Sequence, residues 1–117
     1  MKGKTAAYIG FAIRKGSVIF GCDKLLAGGR FHPKVVIITD DLGESARKKT
    51  ARYCEEKGVP LYVTAAGNLA RITGKSDVKV LTVTDKGLGG SVIRETEKDP
   101  FGDFKQYTEV QPIDSKE

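Results

Sequence analysis

The chain has 117 residues, 39% of them hydrophobic and 30% charged, which is the balance of one soluble globular domain and excludes an intrinsically disordered chain. At this length the domain can fold without a disulfide or metal staple, and apolar runs such as Val35-Val36-Ile37-Ile38 are too short to span a bilayer. The net charge is +5, but unevenly spread: residues 95–117 hold seven acids and three bases, so residues 1–94 carry +9. A body of that charge attracts polyanions, and nucleic acid is the commonest of them. The basic start Met1-Lys2-Gly3-Lys4 leads into no apolar signal core, so a cytoplasmic protein is expected, with no membrane partner.

Thr5 to Lys15 reads as a helix. Thr5 can cap it, Ile9, Ala12 and Ile13 share a face, Arg14 and Lys15 suit its negative end, and Gly16 stops it. Ser17 to Phe20 is β-rich, and Gly21-Cys22-Asp23 opens a brief helix to Ala27 that ends at Gly28-Gly29. Val35 to Thr39 is apolar at successive positions, as a strand covered on both faces must be. Asp40, Asp41 and Glu44 place negative charge at the start of a helix running to Lys57, with Ala46, Thr50, Tyr53 and Cys54 as its inner stripe. Leu61-Tyr62-Val63 is the next strand, Asn68 to Thr73 a short helix, Val78 to Val83 a strand, and Asp85 to Arg94 a last helix. This alternation predicts an α/β protein, a three-layer α/β/α sandwich around a small mixed sheet of about four strands. Residues 95–117 are acidic and aperiodic, with Pro100 and Pro112, and are expected to form a mobile tail dispensable for folding, behind a domain at 1–94.

Several motifs approach the pattern of a chemical site without completing it. Ile72-Thr73-Gly74-Lys75-Ser76 matches only the end of a phosphate-binding loop, because Leu69 stands where the first glycine is required and a strand follows. Gly87-Leu88-Gly89-Gly90 lacks the third glycine of a dinucleotide fingerprint, since residue 92 is Val92. The Asp40-Asp41 pair reads as helix capping rather than as acid/base machinery. His32 has no evident partner for a triad, and Cys22 and Cys54 lack the paired spacing of a zinc site. No enzyme, metal or cofactor is expected.

The basic residues point elsewhere. Lys2, Lys4, Arg14 and Lys15 bracket the first helix, and Lys24 lies at the opening of the second, where free amides suit a phosphate. Arg47, Lys48, Lys49 and Arg52 line the outer face of the long helix. The small residues Thr64-Ala65-Ala66-Gly67 allow close backbone approach to a folded RNA.

In order, the segments Arg14-Lys15-Gly16-Ser17-Val18-Ile19-Phe20-Gly21-Cys22-Asp23-Lys24, Lys34 to Thr39, Tyr53-Cys54-Glu55-Glu56-Lys57-Gly58-Val59-Pro60 and Asn68-Leu69-Ala70-Arg71-Ile72-Thr73-Gly74-Lys75 resemble the ribosomal L7Ae/L30e family. The resemblance covers about residues 5 to 94. It implies an α/β/α sandwich that binds structured RNA, often kink-turns, without catalysis. In the family motif Gly21 matches the opening glycine, Asp23 and Lys24 stand at the polar pair, and Ala27 stands where a lysine is usual. The implied RNA contacts are amides of Gly21 and Cys22, Asp23, Lys24 and Lys4, with Thr64, Ala65, Ala66 and Asn68 as a second region. Ribosomal RNA and ribosome-associated proteins are the implied partners, and DNA is not expected. The alternative reading, allowed by Asp23 and Ala27, is a protein–protein adaptor that kept the fold and lost RNA binding.

Overall fold

The structure is a computed structural model that describes residues 4–98 and 102–107. Helices α1 (Thr5–Lys15), α2 (Cys22–Ala27), α3 (Glu44–Lys57), α4 (Asn68–Thr73) and α5 (Lys86–Lys98) alternate with strands β1 (Val18–Phe20), β2 (Val35–Thr39), β3 (Leu61–Thr64), β4 (Val80–Val83) and β5 (Phe104–Gln106). The strands form one sheet in the order β1-β4-β2-β3-β5. β2 and β3 run parallel and the other pairs are antiparallel, so the sheet is mixed as expected.

Successive residues of a strand face opposite sides, and each side is covered by helices. Val35 and Ile37 of β2, Tyr62 of β3, Leu81 and Val83 of β4 and Phe104 of β5 pack under Ile9 and Ala12 of α1, Leu69 of α4 and Val92 of α5. Val36, Ile38, Leu61 and Val80 pack on the other side, against Leu25 of α2 and Ala51 and Cys54 of α3. β2 is buried at all five positions, which is why its sequence is apolar throughout rather than alternating. The three-layer α/β/α sandwich is the observed architecture.

Two details of the helix starts differ from expectation. Thr5 is the first helical residue rather than the cap; Lys4 occupies the cap position without a side-chain bond. The cap of α3 is Gly43, not Asp40 or Asp41. The larger correction concerns the chain beyond residue 94. α5 continues to Lys98 with Thr96 buried, and Phe104–Gln106 adds a fifth strand against β3. Phe104 is 4% exposed and is the one buried residue of the three in that strand, so the strand has no periodicity to detect. Asp103 is tied in as well, its carbonyl accepting from the Thr64 hydroxyl at 2.7 Å. Residues 108–117 of the expected tail lie outside the described residues.

Candidate nucleic-acid interface

The strand pairings decide which loops meet. Phe20 at the end of β1 pairs with Leu81 at the start of β4, Val80 pairs with Ile38 near the end of β2, and Thr39 pairs with Thr64 at the end of β3. The start of α2, the Asp40–Gly43 turn, the β3–α4 loop and the α4–β4 loop therefore share one rim of the sheet. Lys4 opens α1, which packs against α4 beside this rim. The ion pair of Lys15 with Asp85 fixes the far end of α1 at the opposite rim, and the helix is about 16 Å long.

At the start of α2, Gly21 has φ +95, a conformation side chains rarely adopt, which turns the chain sharply from β1 into the helix. Its amide donates to the Val80 carbonyl at 2.9 Å. The expectation that this N–H is offered to a phosphate is thus corrected: it completes the join of β1 to β4. Cys22 turns its thiol inward, where it accepts from the Thr50 hydroxyl of α3 at 3.4 Å, so only the Cys22 backbone stands at the helix opening. Asp23, Lys24 and Ala27 are exposed.

β4 is the immediate neighbour of β1, so the loop beside the start of α2 is the α4–β4 loop rather than the β3–α4 loop. Phe20, Gly21, Lys75, Ser76, Asp77, Val78 and Lys79 line a cleft of about 440 Å³ there. The Lys75 ammonium stands 5.4 Å from the centre of the Phe20 ring, within cation–π range. Lys79 pairs with Asp41 at 3.4 Å. The Thr39 hydroxyl beside it, then Lys79, hold the Asp41 carboxyl below the usual aspartate range. The sequence reading missed Phe20, Lys75 and Ser76 as site residues, having weighed Gly74-Lys75-Ser76 only as a broken phosphate loop. The order of strands, which no local pattern discloses, is what places them.

The β3–α4 loop lies three strand spacings from β1, about 14 Å across the sheet. Its polar side chains are engaged internally. The Thr64 hydroxyl donates to the Asp103 carbonyl and accepts from the Asn68 amide at 2.8 Å, while the Asn68 carbonyl oxygen accepts from Arg71 at 2.8 Å. Thr64 and Asn68 are 3% and 8% exposed. They shape the loop, and one of the two amide hydrogens that Asn68 would offer to a base or ribose is taken by Thr64. Ala65, Ala66 and Gly67 are exposed. The Ala66 amide donates to Asp40 at 3.0 Å, so Asp40 ties two rim loops together instead of capping α3.

The outer face of α3 is less available than its sequence implies. Arg47 is half-buried and donates to the Tyr107 hydroxyl at 3.1 Å, and Lys48 pairs with Glu44 at 3.1 Å. Lys49 and Arg52 are exposed. Burial pushes the Cys54 thiol up to about 12, so it stays protonated at neutral pH and is no nucleophile.

The model of the ribosomal protein L7Ae/L30e/S12e/Gadd45 family matches residues 7–92, spanning α1 to the middle of α5. The chain belongs to that family. No curated protein matches it significantly. Among solved structures, a protein of unknown function from Bacillus halodurans is similar in fold, with a TM-score of 0.71 and 24% identity. That likeness covers 82% of this chain and 99% of the other. Within the L7Ae/L30e sandwich, the rim therefore holds the positions that the sequence resemblance assigned to RNA, except that the α4–β4 loop is interposed between its two parts.

Proposed function

We propose that the protein is a non-catalytic RNA-binding protein of the ribosomal-protein type that holds structured RNA, kink-turns and ribosomal RNA included, along this rim. The observation that carries the reading is the placing of Lys24, on α2 just after the Gly21 turn, and Lys75, on the neighbouring α4–β4 loop, along one rim with the side-chain-poor surface of Ala65, Ala66 and Gly67. Lysines meet phosphates, and loops without large side chains admit the backbone or sugar edge of a folded RNA. Family membership supports the same reading, and with it a cytoplasmic role in translation.

Electrostatics set the expected strength. Asp41 neutralises Lys79, while Lys24 and Lys75 have no ion-pair partner among the described residues and, with Lys4, are the cations offered to phosphate. Two or three phosphate contacts give a slope of log affinity against log salt of about −2 to −3. Filter binding of an internal-loop RNA and of a plain duplex at several salt concentrations tests this. Lys24→Ala with Lys75→Ala should flatten the slope by about two units for every RNA. A double variant with unaltered slope and affinity removes the rim from consideration. Weak, salt-independent binding of all RNAs favours the adaptor reading.

A further inference from the structure

The end of the sheet opposite this rim carries a second cleft, of about 500 Å³, a size suited to a small ligand. It lies where the Gly28–Pro33 connection meets the last turn of α3. The ladder fixes its place: the Lys34 amide donates to the Val83 carbonyl at 2.8 Å and the Val36 amide to the Pro60 carbonyl at 3.0 Å, at the far ends of β4 and β3.

The chemistry of its wall is unusual for this molecule. Three rings, Phe31, His32 and Tyr53, and two amines, Lys34 and Lys57, line it, and none of its ten lining residues is acidic. The rim cleft contains Asp77, and the cleft between α5 and β5 contains Glu97. The wall is also held in place. The Phe31 ring rests on Gly29, where a Cβ would stand 3.0 Å from it, and Lys34 is gripped by α5, since a Cβ on Gly89 would come within 2.6 Å of the Lys34 Cβ. Lys57 in the last turn of α3 offsets the helix dipole. That role accounts for neither Lys34 nor the three rings.

Rings together with amines that no carboxylate among the described residues neutralises match a flat heterocycle bearing a negative group. We propose that this cleft binds a nucleoside 5′-phosphate unit, its base against the rings and its phosphate at Lys34 and Lys57, either as a free nucleotide or as the terminal residue of an RNA strand. Both parts are required, so inorganic phosphate alone and a nucleoside alone bind more weakly than the nucleotide.

The test is amide chemical-shift mapping on the full ¹⁵N-labelled chain with AMP, adenosine, inorganic phosphate, and a hexaribonucleotide with and without a 5′-phosphate. AMP should move the amides of Gly28, Gly29, Phe31, His32, Lys34 and Lys57 saturably, with an affinity at least about tenfold above phosphate or adenosine. Lys34→Ala with Lys57→Ala should lower that affinity about tenfold or more while leaving the melting curve in place. A preference for the 5′-phosphorylated hexamer over its hydroxyl form identifies an RNA end as the source, and equal weak binding of the two hexamers beside tight AMP identifies the free nucleotide. Absent or unsaturable shifts at these amides, equal affinity for phosphate and AMP, or an unaffected double variant overturns the proposal. Because the mapping is read on the wild-type chain and away from Lys24 and Lys75, its failure is distinct from failure of the rim reading.

Discussion

Replacing Phe104 by alanine asks whether the segment beyond α5 belongs to the fold. The side chain is 4% exposed and packs in the cluster that contains Tyr62, Leu69 and Val92. Phe→Ala in a core costs about 3–5 kcal/mol. Among the described residues β5 is an edge strand of three residues paired with β3 alone, so the site can partly close after truncation, which favours the low end, about 3 kcal/mol. For a domain this size that corresponds to a fall in Tm of about 10–15 °C. Phe104→Ala and the exposed control Gln106→Ala, followed by circular dichroism in heat and urea, provide the comparison. A fall below about 2 °C for Phe104→Ala, equal to that of the control, would mean that the segment is a mobile tail after all and that the Asp103–Thr64 bond contributes nothing.

Thr82 is fully buried in the middle of β4, and its hydroxyl has no partner among the described residues; Thr82→Val should raise stability by about 1 kcal/mol in urea titrations, and a loss of stability would mean the hydroxyl is satisfied. Asp85 is held below the usual aspartate range by Lys15 first and by the Leu88 amide, which donates to it at 2.8 Å. A depressed carboxyl stabilises the fold above its unfolded pKa and loses that contribution as pH falls through its folded pKa, so wild type should exceed Asp85→Asn in Tm at pH 7 and converge with it below the usual aspartate range. An unchanged gap at low pH contradicts this. With its thiol raised to about 12 and buried, Cys54 should resist a maleimide at pH 8 in the native chain and react once unfolded, whereas half-buried Cys22 reacts sooner; peptide mass spectrometry separates the two.

Much of the fold was legible because local chemistry and tertiary role agree. Val35–Thr39 is apolar at every position and proved to be the strand buried on both faces, and α4 has the bounds its sequence implies. What escaped was set by pairing. Phe104–Gln106 is a strand because Tyr62, Val63 and Thr64 lend it a ladder, not through any preference of its own. Asp40 and Asp41 carry the composition of a helix start, yet the turn at Leu42–Gly43 moves the cap beyond them and frees them to bind Ala66 and Lys79. At the site, Gly21 and Lys24 could be named from their motif, whereas Phe20 and Lys75 became neighbours only through the order β1-β4, which residue patterns do not encode. Asn68 looked like a free polar group in a loop. It is buried and bonded to Thr64 and Arg71, and the Thr64 hydroxyl in turn donates to Asp103 of the segment at 102–107.

The central claim is that one rim of the sheet holds the RNA, and ultraviolet crosslinking of the full chain to a bound internal-loop RNA, with the crosslinked residues assigned by mass spectrometry, tests it most directly. Crosslinks should fall within residues 20–24, 65–67 and 74–79, with Phe20 and Lys75 among them, and should vanish together in the Lys24→Ala, Lys75→Ala chain. Crosslinks confined to Lys49 and Arg52 on the outer face of α3 would contradict the account.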